Sequence, residues 1–156
     1  MALDAGARKA ANRMSTPIRD LTILLRSMRP RLHERAFAYC IVPPDRPWVH
    51  LDPIAMVLER EGRTLVIDEA RALAAQLPIV LSVAWITLDV HSDLEAVGLT
   101  AAIAAALTGA DISCNVVAGA HHDHLFVPFG SARAAMDALQ RLQDAAMSAE
   151  VSIDGR

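Results

Sequence analysis

The order of apolar segments constrains the fold of this chain more than any other sequence feature, because one short order occurs twice. In the second half, strand-like and helix-like spacings alternate as strand, helix, strand, strand and helix. These segments are 83–91, 97–110, 112–118, 124–128 and 131–147. The first half has a corresponding strand, hairpin and helix, at 36–42, 54–59, 64–67 and 68–77. A proline-rich segment, 43–53, stands where the second half has its first helix.

This repeat predicts an α+β fold made of two ferredoxin-like βαββαβ sandwiches in tandem, the first of which lacks its first helix. In such units, antiparallel sheets carry helices on one face. We place the N-terminal unit at 17–80 and the C-terminal unit at 81–156, after a flexible tail over 1–16. Each unit alone is small for an independent core, so the two are expected to pack as one.

The two ends of the chain carry further predictions. Thr16 followed by Pro17 is typical of a helix N-cap and first helical position, which predicts a helix over 18–28. Residues 150–153 are predicted to form a short edge strand, which would close the C-terminal βαββαβ unit.

The charge of the chain is unevenly distributed. The net charge is −3, but residues 1–35 carry 8 Lys+Arg and 3 Asp+Glu, a balance of +5. Residues 36–156 carry 7 Lys+Arg and 15 Asp+Glu, a balance of −8. A nucleic-acid-binding domain normally has a basic folded body, so nucleic acid is not an expected partner.

Cysteine use and hydropathy indicate a cytoplasmic protein. The start of the chain has no apolar stretch of signal-peptide length, and the longest weakly polar run, 97–110, is too short to span a bilayer. Cys40 and Cys114 each lie in an apolar run that predicts a strand, and no spacing suggests zinc. Two buried thiols fit a reducing compartment, and no membrane association is expected.

One candidate ligand site follows the strand at 83–91. A helix that begins near Val97 presents free N–H groups, and Leu99 and Thr100 can donate them to a carboxylate. Gly98 lacks a Cβ and lets a ligand approach the backbone, although close helix–sheet packing would also explain it. Asp93 can meet an ammonium group or cap the helix. The predicted ligand-binding set is Ser92, Asp93, Glu95, Val97, Gly98, Leu99, Thr100 and Asn115.

Three histidines around Asp123 form the other candidate site. Imidazole and carboxylate groups are metal ligands, and His122 and His124 share a face of an extended strand. A metal-binding protein or metal-dependent enzyme built on 121–124 is one alternative, and a polar turn and a role in ligand or subunit contact are the others. His91 is not expected to join, because the first and third strands of the unit are expected to run parallel. No G-x-S-x-G elbow, phosphate loop or H-E-x-x-H motif indicates catalysis.

Several segments resemble the ACT domain family. Residues 91–102 resemble the strand–loop–helix entry of such a domain, 109–116 its second strand and 122–127 its third. Residues 25–28 and 51–55 are similar to small bacterial proteins with tandem ACT domains, which are relatives of the CASTOR-type amino-acid sensors.

The resemblance implies a non-catalytic regulatory protein that binds a small molecule, usually an amino acid, without a cofactor. In that family the ligand commonly sits where two ACT units meet. The loop after the first strand, the start of the first helix and the start of the second strand provide its contacts. ACT-like sheets often pair, so a homodimer is expected. A protein-interaction or dimerisation module that uses the outer sheet face is a third alternative for the function.

Overall fold

The computed structural model describes residues 16–151, which form one six-stranded sheet and four helices. The helices are α1 (Leu21–Ser27), α2 (Glu69–Ala74), α3 (Leu99–Thr108) and α4 (Ala132–Val151). The strands are β1 (Pro30–Val42), β2 (Ala55–Glu59), β3 (Gly62–Asp68), β4 (Ile79–Leu88), β5 (Asn115–Ala118) and β6 (Asp123–Pro128). Single 3-10 turns lie at Val49–Leu51 and Phe129–Ser131. The predicted tail over 1–16 lies outside the described residues except for Thr16.

The strands lie in the order β2-β3-β1-β4-β6-β5, and all neighbouring strands are antiparallel. The first half contributes β1 to β3 and the second half β4 to β6. The halves join through β1 and β4, where Phe37 lies opposite Val83 and Tyr39 opposite Leu81. The predicted α+β fold with antiparallel strands and helices on one face is confirmed, and the two predicted sheets are one continuous sheet.

Strand β1 is longer than predicted, and it occupies the position where the closing strand of the second half was expected. It begins at Pro30 rather than at residue 36, and its first residues pair with the end of β4. A register shift follows Leu32, where three polar residues interrupt the apolar pattern that the prediction depended on. Because β1 occupies the position beside β4, no place remains there for a strand at 150–153. Helix α4 continues to Val151 instead, and residues 152–153 lie outside the described part of the chain.

The first helix begins later than predicted. Its N-cap is Asp20, whose side chain accepts a hydrogen bond from the Ile23 N–H at 2.9 Å, so the assignment of Thr16 as N-cap was wrong. The residues before Asp20 are extended instead, because Ile18 forms a parallel bridge with Ser92. The Ile18 N–H donates to the His91 carbonyl at 2.9 Å. The N-terminal segment is therefore tied to the loop after β4.

The region around Cys114 also differs from the prediction. Asp111 has a left-handed backbone with φ of 58°, which turns the chain out of α3, and β5 begins only at Asn115. Cys114 therefore precedes the strand and is half-buried, whereas Cys40 is buried within β1 as predicted. Burial raises the pKa of the Cys114 thiol to about 11, so this thiol stays protonated at neutral pH.

The helices cover one face of the sheet and close two cores. In the second half, α1, α3 and α4 pack on β4 and β6 through large buried side chains, among them Leu24, Ile86, Ile103, Leu125 and Leu139. In the first half, α2 and the proline-rich segment pack on β1 and β3. There Leu51 and Trp48 contact the cluster of Ala38, Cys40 and Leu65, so the segment covers the sheet where a first helix would lie.

No helix among the described residues packs on the opposite face of the sheet. That face carries an aromatic cluster in which Phe37, Val83 and Phe126 are buried and Tyr39 and Trp85 lie partly exposed above them. No helix within residues 16–151 is long and apolar enough to cross a membrane.

Candidate functional site

A small cavity of about 60 Å³ lies between the loop after β4, the start of α3 and the β5–β6 hairpin. Eight residues line it: Ser92, Asp93, Leu94, Ala96, Leu99, Thr100, Ala118 and Asp123. Four of them, Ser92, Asp93, Leu99 and Thr100, belong to the set that the sequence predicts. The antiparallel register brings the hairpin to this place, because Leu88 at the end of β4 lies opposite Asp123 at the start of β6.

The loop after β4 is held from two directions. Within the loop, the Asp93 carboxylate accepts the Glu95 N–H at 2.8 Å, and the Asp93 carbonyl accepts the Ala96 N–H at 2.9 Å. From outside, Arg19 donates to Asp93 at 2.6 Å and also pairs with Glu95. The backbone hydrogen bond, followed by Arg19, keeps the pKa of Asp93 below its ordinary value. Asp93 and Glu95 therefore already have a cationic partner, and Asp93 does not cap α3.

Helix α3 begins without a side-chain cap. Its N-cap is Gly98, so no side chain accepts the hydrogen bonds that the first-turn N–H groups offer. Gly98 has φ of 103°, and a Cβ on it would lie 2.9 Å from Cδ2 of Leu21. The glycine is therefore required by its backbone conformation, and the side chain that packs against it is Leu21 of α1 rather than a residue of the sheet. Leu99 is buried, and Thr100 is exposed at the cavity.

A buried carboxylate lies across the cavity from this helix start. Asp123 is 6 % exposed, and its Oδ2 accepts a hydrogen bond from the Ser92 hydroxyl at 3.2 Å. The sequence pattern assigns Asp123 to the histidine turn and does not connect it with Ser92. An antiparallel pairing of the strands at 83–91 and 124–128 would have predicted this contact, because it places the end of the first strand beside the start of the second. The cavity thus joins free N–H donors on one side and a carboxylate on the other.

The other four predicted residues do not line the cavity, and one of them is Gly98, the N-cap of α3. Val97 is 84 % exposed, and Glu95 faces Arg19 on the surface. Asn115 lies at the opposite end of β5 from Ala118, on the sheet face without helices. It lines a different cavity there, together with Tyr39 and Leu81. The prediction took Asn115 as a neighbour of the loop because it placed the start of the strand, rather than its end, beside α3.

The histidines divide between two environments. The strands β4 and β6 are antiparallel, so the prediction that they run parallel and keep His91 away from the histidine turn was wrong. His91 lies near His121, with ring centroids 5.4 Å apart. Nδ1 of His122 lies 3.3 Å from the Val90 carbonyl, whereas Nδ1 of His124 accepts the Trp85 indole N–H at 3.1 Å. Within residues 16–151, no three His, Cys, Asp or Glu side chains are grouped to hold a metal ion. A metal site on His122 and His124 is therefore not supported.

Comparison with known proteins assigns both halves to one type of domain. Two family models, each described as an ACT domain, match residues 16–83 and 81–141. A search of curated proteins gives no match.

Solved structures with a similar fold include one of substantial sequence identity and others that share the fold alone. A protein of unknown function from Vibrio cholerae, described as a possible transport protein, is 43 % identical with a TM-score of 0.71, over 79 % of this chain and 95 % of that one. A protein from Agrobacterium tumefaciens is 12 % identical with a TM-score of 0.63, over 74 % and 89 %. The regulatory subunit of aspartate kinase from Thermus flavus is 11 % identical with a TM-score of 0.53, over 74 % and 96 %.

Proposed function

Because this chain belongs to the ACT domain family, we propose that it is a regulatory protein that binds a free amino acid in the cavity between Ser92, Thr100 and Asp123. The ACT domains and the aspartate kinase regulatory neighbours support a regulatory, ligand-binding role. The proposal that the ligand is a free amino acid rests on one observation. An uncapped helix start and a buried carboxylate line the same cavity, which provides one partner for each charge of an amino acid.

The start of α3 is the proposed partner of the ligand carboxylate. The N–H groups of Leu99 and Thr100 have no partner within the helix, and the helix dipole favours negative charge at this end. Such a helix start binds carboxylate and phosphate groups. The Thr100 side chain is exposed at the cavity, so its hydroxyl is placed to add a further hydrogen bond.

Asp123 is the proposed partner of the ligand ammonium group. It is buried, and Ser92 satisfies one of its oxygens, which leaves acceptor capacity on the carboxylate. A buried carboxylate gains most when a cation meets it at hydrogen-bond distance. Asp93, in contrast, is occupied by Arg19 and the Glu95 N–H. We assign Asp93 and Glu95 to holding the loop rather than to the ligand.

The size of the cavity limits what it can hold. About 60 Å³ is roughly the volume of two water molecules at liquid density, so the cavity admits the charged head of an amino acid and little more. The side chain of the ligand would extend past Leu94, which is 66 % exposed at the rim. The cavity therefore selects for the ammonium and carboxylate groups of the amino acid, and the residues at its rim select among side chains.

The proposed role is regulatory rather than catalytic, and the proposed location is the cytoplasm. ACT domains are regulatory modules, and the matches to them span both halves of the chain. The free thiols of Cys40 and Cys114 favour a reducing compartment.

A thermal-shift screen against the twenty amino acids tests the proposal. A ligand at one hundred times its dissociation constant stabilises the fold by about 2.7 kcal/mol. The N-acetyl derivative and the methyl ester of the same amino acid should not stabilise, since each lacks one of the two charges. If none of the twenty amino acids raises the melting temperature, the amino-acid assignment is wrong.

A pair of matched variants then locates the site. Asp123→Asn removes the charge that the ammonium group requires, and hydrogen bonds to charged groups contribute about 1.5–3 kcal/mol. Affinity should therefore fall roughly tenfold to hundredfold. Asp111→Asn makes the same change on an exposed residue beyond the far end of α3, where asparagine tolerates the left-handed backbone, and should bind like the wild type.

A further inference from the structure

The proline-rich segment lines a second cleft, which has no part in the function proposed above. We propose that this cleft binds a small organic phosphate, whose phosphate group meets Arg46 and Arg63 and whose planar body lies against Trp48. Residues 44–50 and Arg63 line the cleft, and its volume is about 600 Å³. That volume lies within the range of roughly 300–1,000 Å³ that is usual for small-molecule sites.

The cleft lies at the opposite end of the sheet from the cavity at Asp123. At one end of β1, Pro30 lies opposite Leu88 of β4, and the strand β4 leads into the loop that lines the cavity. At the other end of β1, Val42 lies opposite Arg63 of β3, which lines the cleft. The thirteen residues of β1 separate the two places, at about 3.3 Å per residue. The two sites are therefore independent, and this proposal does not rest on amino-acid binding.

Two arginines in the cleft are held in position but not neutralised. Nη1 of Arg63 donates to the Pro44 carbonyl at 2.8 Å, and Nη2 of Arg46 donates to the Ala75 carbonyl at 2.5 Å. Each guanidinium carries five N–H donors, so most of them stay available to a ligand. Within residues 16–151 neither group forms an ion pair with a carboxylate, whereas Arg71 on the neighbouring helix does. The cleft therefore presents two positioned cations without a counter-charge on either.

The charge of the cleft favours a phosphate over a carboxylate. Residues 36–156 carry 7 Lys+Arg against 15 Asp+Glu, and two of the seven line this one cleft. Asp45 is the one acidic residue in the described lining, so it reduces the positive charge without cancelling it. A phosphate monoester carries about −1.5 to −2 charges at pH 7, which suits two guanidinium groups. A single carboxylate would leave one of the two without a partner.

The rest of the lining is apolar and suits a planar group. Trp48 is half-buried against the core of the first half, and the Arg63 guanidinium carbon lies 6.0 Å from the centroid of its ring. Beside it, Val49 is 74 % exposed, and Pro44 and Pro47 complete the apolar lining. Nucleobases pack well on aromatic rings and on guanidinium planes. A nucleoside monophosphate therefore combines the two parts that the cleft is suited to bind.

Titration of the full chain with adenosine 5′-monophosphate tests the proposal, at about 0.15 M salt to screen exposed charges. The chain has two tryptophans, so Trp85→Phe leaves Trp48 as the fluorescent reporter. Its emission should change saturably with the nucleotide. Adenosine lacks the phosphate and inorganic phosphate lacks the planar body, so each should bind at least tenfold more weakly.

Three variants in the same background locate the site. Arg63→Gln should weaken nucleotide binding tenfold or more, since it removes hydrogen bonds to a charged group. Arg60→Gln removes the same charge from the β2–β3 turn, at a side chain 93 % exposed, and should leave the affinity unchanged. Asp45→Asn removes the negative charge from the lining and should raise the affinity. A disturbed loop would not raise it, so this variant separates ligand binding from a purely structural role.

Four outcomes would overturn the proposal. The first is the absence of a saturable change with millimolar nucleotide. The second is an Arg60→Gln variant that binds as weakly as Arg63→Gln, which would indicate attraction by general charge. The third is an Asp45→Asn variant with unchanged or lower affinity. The fourth is equal affinity for the nucleotide and for either adenosine or inorganic phosphate. Because no amino acid is present, none of them bears on the cavity at Asp123.

Discussion

Gly98 begins α3 with a left-handed backbone and lies beside Leu21 of α1. The sequence places a glycine at a helix start, where it permits either ligand approach or close packing. The φ of 103° is a backbone conformation that residues with a Cβ rarely adopt, and a Cβ at this position would lie 2.9 Å from Cδ2 of Leu21. The sequence could not show this, because the contact joins residues that are far apart along the chain. The same applies to Asp123 and Ser92, which the sheet register brings together.

Gly98→Ala should therefore destabilise the fold. The added methyl group must displace Leu21 and must adopt a left-handed backbone, which costs about 1–3 kcal/mol. Gly130→Ala is the matched control, because a Cβ there has no atom within 4 Å and its φ is not in the left-handed region. Urea unfolding of both variants measures the difference. Equal midpoints for the two variants would contradict this requirement for glycine at position 98.

At the scale of elements, the proline-rich segment is the feature that departs most from a regular repeat. It replaces a helix, yet it closes the core of the first half because Leu51 is 5 % exposed and packs with Trp48 on β1 and β3. Arg71 holds the end of the segment through its pairing with Asp52 at 3.0 Å. The sequence shows that a proline-rich segment stands in place of a helix, but not which of its side chains enter the core, because no periodicity marks them.

Leu51→Ala should cost about 2–5 kcal/mol of unfolding free energy, the range for removing a buried leucine side chain. Val49→Ala in the same 3-10 turn should change it by less than about 0.5 kcal/mol, because Val49 is 74 % exposed. Chemical denaturation gives both values. A Leu51→Ala variant as stable as Val49→Ala would mean that the segment does not close the core.

The length of β1 is a second feature that the sequence does not indicate. The existence of all six strands could be predicted from apolar spacing, and so could the hairpin of β2 and β3. The extension of β1 over residues 30–35 could not, because His33, Glu34 and Arg35 resemble a loop. Their strand geometry comes from pairing with β4, a tertiary contact that overrides local propensity. That same pairing excludes the predicted closing strand.

At the scale of the whole molecule, a polar network on the aromatic face of the sheet ties the two halves together. His33 of β1 stacks on Trp85 of β4 with ring centroids 3.5 Å apart, and its Nε2 lies 2.9 Å from the Thr87 hydroxyl. The same hydroxyl lies 3.2 Å from Nδ1 of His124 on β6. Burial lowers the pKa of both histidines, so the folded state favours their neutral forms.

This network predicts that the fold already loses stability at a pH above the range in which the carboxylates are protonated. The unfolded histidines have a pKa of about 6.5. Because the folded pKa values lie lower, the unfolded state binds more protons between the two values, and stability falls as the pH drops below about 6.5. Arg31 and the neighbouring histidines add to the lowering, whereas Asp89 opposes it for both residues and Asp123 for His124.

Urea unfolding between neutral pH and about pH 5 checks this prediction. His124→Asn keeps an acceptor for the Trp85 N–H but does not titrate, so its stability should depend less on pH over this range. A wild-type stability that stays constant or rises on acidification would contradict the assignment of neutral histidines to the folded state.

An NMR titration of the ¹⁵N-labelled chain with the amino acid that stabilises it decides whether the cavity beside α3 is the binding site. We expect saturable shifts of the Leu99 and Thr100 amide signals, which Asp123→Asn weakens, and little change at Asn115 at the other end of β5. Saturable shifts confined to the sheet face around Asn115 and Tyr39 would contradict this assignment, as would the absence of any response to all twenty amino acids.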